Sequence, residues 1–120
     1  MAASGTISVG ATVTGTPTVG TDNIGPFNLT TGTAAAVRRD IVDLSAGANS
    51  IAIPTGAVGV LIIPPSGNGQ TLVLEGAAAD TGLKIHKTNP TFLSLETSSP
   101  STAIVLTAGG TVTGMVVQFI

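Results

Sequence analysis

Val58-Gly59-Val60-Leu61-Ile62-Ile63-Pro64-Pro65, then Ser66-Gly67-Asn68-Gly69, then Gln70-Thr71-Leu72-Val73-Leu74-Glu75 is the stretch that decides the fold. Two apolar, β-branched runs flank a loop of Pro, Ser, Gly and Asn, the pattern of a β-hairpin with a medium-length connection. The first run is apolar at both parities, with Val58, Val60 and Ile62 on one face and Leu61 and Ile63 on the other. Such a strand is covered on both sides, by a second sheet or by another subunit. The second run is more one-sided, with Leu72 and Leu74 set against Thr71, Val73 and Glu75. Pro64 and Pro65 have no N–H to give a ladder, so strand pairing stops there.

Working outward, the same grammar repeats on both sides. Residues 34–44 alternate and hold four of the ten formally charged side chains, Arg38, Arg39, Asp40 and Asp43. Opposite charges at i and i+2 share a face of that strand. Two readings stand: a solvated edge that uses charge against non-specific pairing, or an ion pair between subunits. Residues 45–48 are a turn, and 49–53 a short strand with Ile51 and Ile53 on one face. Residues 76–82 are a small-residue loop. Residues 83–86 form a strand with Leu83 and Ile85 inward, and Lys84 and His86 outward. Pro90 biases Asn89 away from helical backbone. Residues 91–95, 103–107 and 112–120 complete the set, and the terminal Phe119-Ile120 implies a chain end anchored in a sheet. About eight short strands in 87 residues, with no helical period, predict an all-β protein. The architecture is an antiparallel β-sandwich, jelly-roll-like, over residues 34–120.

Residues 1–33 differ. Gly5, Gly10, Gly15, Gly20 and Gly25 recur every five residues among Thr, Ser and Val. Five is odd and fits neither the strand nor the helix period. The segment reads as an extended N-terminal arm with strand fragments at 6–9 and 11–14, or as a disordered tail. So little apolar content cannot offset the ordering entropy alone. An ordered arm therefore implies a neighbouring subunit.

Composition narrows the function. Charged residues are 8% of the chain, against about a quarter in an ordinary soluble domain. With a net charge of −2 there is little repulsion to keep copies apart, which favours life in an assembly. No basic excess exists to neutralise phosphates, so nucleic acid is not expected. Cysteine is absent, which removes disulfides and thiol chemistry. No basic and apolar leader is seen at the N-terminus, and no apolar run approaches the ~20 residues of a membrane helix.

Catalytic candidates are few. His86, the sole histidine, lies between Lys84 and Lys87 and reads as a surface residue. With Asp80 it would make two metal ligands where zinc wants at least three. The loop at 66–71 is Gly-rich but lacks a phosphate-binding lysine. The six acids are scattered, and there is no Trp or Tyr for a sugar platform. No enzyme, no cofactor and no metal is expected.

Residues 36–120 resemble a family of small tailed-bacteriophage virion proteins. The resemblance rests on Val37-Arg38-Arg39 leading into a strand, Val60-Leu61-Ile62-Ile63-Pro64-Pro65, and Asp80-Thr81-Gly82-Leu83. It continues in Asn89-Pro90-Thr91-Phe92-Leu93-Ser94-Leu95, Ile104-Val105-Leu106-Thr107 and Val112-Thr113-Gly114. Members are similar to capsid decoration (cement) proteins, tail-tip components and head-fibre bases, and carry no active-site residues to transfer. The resemblance implies a virion protein on the head surface, made in the bacterial host cytoplasm. Its partners would be the major capsid protein and itself, as a homotrimer. The arm would clamp neighbouring subunits by strand addition. Candidate contact residues are Thr6, Ile7, Val9, Val13, Val19 and Ile24 in the arm, with Arg38, Arg39 and Asp40 on the charged strand. The competing expectation is a tail-tip or fibre component for host recognition, working through loops 66–70, 76–82 and 97–101.

Overall fold

The computed structural model describes residues 3–16, 20–76, 81–98 and 101–120. Among these, ten strands form three sheets. β1 (Thr6–Thr16) and β2 (Gly20–Thr30) make a two-stranded ribbon. A single 3₁₀ turn at Ala34–Ala36 leads from it into the body. The body strands are β3 (Arg38–Leu44), β4 (Gly47–Ala52), β5 (Gly59–Ile63), β6 (Leu72–Glu75), β7 (Leu83–Ile85), β8 (Thr91–Ser94), β9 (Ala103–Ala108) and β10 (Val112–Phe119).

The body is the expected antiparallel sandwich with the expected eight strands. One sheet runs β3-β10-β5-β8 and the other β4-β9-β6-β7. The pairs β3/β10, β4/β9, β5/β8 and β6/β7 are all antiparallel. They nest one inside the next, as in a long hairpin rolled up so that successive strands alternate between sheets. That is the jelly-roll order.

Alternation fills the space between the sheets. Val60 and Ile62 of β5, Leu106 of β9, and Met115, Val117 and Phe119 of β10 are fully buried, with Leu44 and Leu72 beside them. Each such side chain contributes about 1.5–3 kcal/mol relative to exposure. Val112 faces the core as well, which simple alternation from Met115 forbids. The register between β10 and β3 slips between Val112 and Met115, setting two residues against Asp43 alone. Gly114 takes φ +84 in this bulge, and its N–H donates to Asp43 Oδ1 at 3.0 Å. The extra residue restores the inward parity at Val112. The chain end is anchored as predicted. Ile120 N donates to Gly59 O at 3.0 Å, and Val58 N donates to Ile120 O at 2.7 Å.

Three expectations need correction. The runs 58–63 and 70–75 are not a hairpin: β5 and β6 belong to different sheets. Residues 64–71 carry the chain across the sandwich, because Pro64-Pro65 ends pairing without reversing the strand in its own sheet. Asn68 braces this crossing, its Nδ2 donating to Lys87 O at 2.8 Å. Residues 34–36 are a 3₁₀ turn and not the beginning of a strand. Leu83 keeps the inward parity, paired with Leu74, but is not buried. It is 68% exposed, at the end of the edge strand β7, where the opposing β3-β10-β5-β8 sheet does not cover it.

Phe119→Ala tests the central packing. It should lower unfolding free energy by about 3–5 kcal/mol with an unchanged denaturant slope. Urea titration followed by circular dichroism reads it.

Candidate interaction surface

The arm is a continuous β-ribbon. Ile7 pairs with Leu29, Val9 with Phe27, Ala11 with Ile24 and Thr14 with Thr21. The two strand fragments expected at 6–9 and 11–14 are one strand, divided by a register shift between Val9 and Ala11. There Gly10 stands against two residues, Gly25 and Pro26, a bulge on β2. Gly25 takes φ +84, and a Cβ on it would lie 2.7 Å from Val9 O. Only glycine fits that place.

The five-residue glycine spacing thus has a physical reading that a single strand could not supply. In the ribbon, paired positions sum to 35 or 36. Spacing by five about that centre sets Gly10 across from Gly25 at the bulge, and Gly15 beside Gly20 near the second irregularity. A mirror test on the sequence would have found the hairpin.

The ribbon has two unlike faces. Ser8 Oγ donates to Asn28 Oδ1 at 2.7 Å, and Thr12 Oγ1 to Asn23 Oδ1 at 3.1 Å, on a polar side. The other side carries Ile7, Val9, Ile24, Phe27 and Leu29. Ile24 is 49% and Phe27 65% exposed. At its base the ribbon is locked to itself and to the body. Gly5 N donates to Thr31 Oγ1 at 2.5 Å, and Thr31 N donates to Gly5 O at 3.0 Å. Leu29 sits over Gly59, whose hydrogen faces it where a methyl would collide. A groove lined by Val9, Phe27, Leu29, Phe92 and Ser94 runs between the ribbon and β8.

Gly59 lies on the outer face of the β3-β10-β5-β8 sheet, the parity of Leu61 and Ile63. One row of that face is apolar from β3 to β5, while Arg39, Asp43 and Gln118 share the face beside it. Ile41 pairs with Val116 and Val116 with Ile63, while Gln118 pairs with Leu61 and Leu61 with Phe92. Ile41 is 70% exposed. Among the described residues no third layer covers this face, apart from the base of the ribbon. The two-sided apolarity of β5 therefore has two different causes. Val60 and Ile62 meet the second sheet, and Leu61 and Ile63 belong to an open surface.

The candidate contact residues divide. Thr6, Ile7, Val9 and Ile24 lie on the ribbon, the last three on its apolar side. Val13 stands in β1 opposite Asp22, but its side chain lies outside the described residues, as does all of Val19. Arg38 and Asp40 turn toward the second sheet. Arg38 donates to Asp40 Oδ2 at 2.9 Å and to Ala52 O at 2.8 Å, with its guanidinium 5.3 Å from the Phe119 ring. The pair is internal and closes one mouth of the sandwich. Arg39 is exposed on the outer face with Ile41 and Asp43. Sequence reading missed Phe27, Leu29, Ile41, Phe92 and Val116 as parts of one surface, because their adjacency exists only after pairing.

The polar candidates make local turns. His86 Nδ1 accepts the backbone N–H groups of Thr88 and Asn89 at 3.1 and 2.9 Å. Asp80 lies outside the described residues. Glu96 Oε1 accepts from Ser98 N and Oγ and from Thr97 N, which holds its carboxyl below the ordinary value. Among the described residues no three His, Asp or Glu side chains gather as a metal site. Of the loops considered for host recognition, residues 77–80 and 99–100 lie outside the described residues.

Compared with known proteins, the chain matches no family model, no curated protein and no solved structure.

Gly25→Ala should force the bulge out of register and loosen the ribbon by about 1–2 kcal/mol. Amide hydrogen exchange in β1 and β2 should accelerate, while amides of β5 and β10 keep their protection.

Proposed function

We propose that this chain is a bacteriophage virion structural protein, a decoration protein that sits on the head shell and reinforces it. The observation that carries the reading is the continuous apolar surface made by the ribbon and the outer sheet face. Isolated exposed apolar residues are ordinary, but a contiguous patch marks a docking site. This one spans two elements, and the ribbon contributes a single formal charge, Asp22. Contacts of that kind change little with salt. They suit a permanent, many-copy assembly better than capture of a charged ligand.

In this reading the major capsid protein takes the ribbon's apolar side, and copies of the chain gather symmetrically, as a homotrimer over a three-fold axis. Repetition around a closed shell multiplies weak contacts through avidity. The role is structural and not catalytic, and needs no cofactor. The resemblance of residues 36–120 to small virion proteins supports the same assignment.

Immunogold labelling of intact source particles tests it. Gold over the whole head in many copies is expected, and gold confined to the tail end overturns the reading in favour of host recognition. Purified Phe27→Ser protein should keep its melting temperature within about 2 °C, because the ring is mostly exposed. In co-sedimentation its binding to shells stripped of this protein should fall at least about tenfold.

A further inference from the structure

We propose that two copies of this chain join edge to edge through β3, about a two-fold axis beside Ile41. This inference goes beyond the decoration role and stands without it; beside a three-fold trimer, the two-fold contact would join chains of neighbouring trimers.

β3 pairs with β10 on one side, and no other described strand takes its second edge. Free edges are normally blunted by charges, inward-pointing ones included, by a proline or by a bulge. On β3 the two inward charges, Arg38 and Asp40, neutralise each other, and the central residue is the apolar Ile41. Its outward side chains are Arg39, Ile41 and Asp43, all exposed, with the isoleucine in the middle and opposite charges two residues to either side. The bulge that distorts this pair lies on β10, so β3 itself carries no extra residue.

That pattern is self-complementary in one register. Antiparallel pairing centred on Ile41 sets it against Ile41 of the second copy. Arg39 then faces Asp43, and Asp43 faces Arg39, giving two opposite-charge pairs on one face. Sliding by two residues puts a charge against Ile41 and leaves another unpaired. Parallel pairing sets like against like. The remaining charges on the strand cost nothing here, because Arg38 and Asp40 already satisfy each other on the inner side. Asp43 is fixed before association by the Gly114 amide. The apolar row Ile41–Val116–Ile63 would continue into its copy, doubling its length. An isologous contact of this kind needs the same patch twice, which β3 provides.

The chain has no cysteine, so Ile41→Cys introduces a single thiol. Paired antiparallel residues bring Cα atoms within the range a disulfide spans. Under mild oxidation of the full chain, Ile41→Cys should give a two-chain species at least about tenfold faster than Ser50→Cys, on the exposed outer face of the other sheet. Adding Arg39→Glu should slow it about tenfold, since both charge pairs become repulsive. Mixing Arg39→Glu chains with Asp43→Lys chains, each bearing Ile41→Cys, should restore it, because every pair is again complementary. Equal crosslinking at positions 41 and 50 overturns the proposal. So does crosslinking that Arg39→Glu leaves unchanged, and this arm decides if Asp43→Lys loses its fold with the Gly114 bond.

Discussion

The pairing of β10 with β3 is the constraint on which the rest of the structure depends. It joins the end of the chain to the strand that opens the body, and every other pair of the sandwich nests inside it. Closing so long a loop costs entropy before any contact repays it. The return is concentrated in β10, whose Met115, Val117 and Phe119 are fully buried between strands on both sides. The Gly114 bulge sets the parity of that strand, and Asp43 ties the bulge to β3. Without the extra residue, Val112 would face solvent or Met115 would. One glycine and one carboxylate thus decide which side of the central strand is core.

Much of this architecture was legible in the residues. Alternation, turn residues and the absence of any helical period gave eight strands and a sandwich, and the apolar chain end implied an anchor in a sheet. The crossing at 64–71 was not legible as such. A Pro-Ser-Gly-Asn loop between apolar runs looks the same whether it reverses a strand within a sheet or passes it to the opposite one. What separates the cases is pairing partners far away in sequence, Phe92 for Leu61 and Leu106 for Leu74. Leu83 failed for a related reason. Parity places a side chain on a face, but only the lateral extent of the opposing sheet says whether that face is covered.

The arm shows the converse. Its glycines looked incompatible with regular structure because the test applied was periodicity along one strand. A hairpin instead obeys mirror symmetry about its turn, and Gly10 and Gly25 satisfy that symmetry at the bulge. Cross-strand Ser8–Asn28 and Thr12–Asn23 bonds give the ribbon a polar side, so its apolar residues collect on the other. An isolated two-stranded ribbon is marginal in water. Here the Gly5–Thr31 bonds close its base, and Leu29 over Gly59 fixes that base on the body, on the outer sheet face.

Composition and geometry then bear on the same point. With 8% charged residues the chain has little means of keeping copies apart, and three of the four charges on β3 are committed within the fold. Arg38 and Asp40 close the sandwich, and Asp43 holds the bulge. Arg39 is the member of that charged strand for which the described residues supply no partner. It lies beside the most exposed isoleucine, on a free edge, at the margin of an apolar face. A monomer selected for solubility would place a lysine or a proline where Ile41 stands. The chain keeps an isoleucine there and leaves Phe27 and Ile24 open on the ribbon. The proposed role in a permanent assembly accounts for both choices at once, since each costs solubility in the free chain and is repaid only by contact.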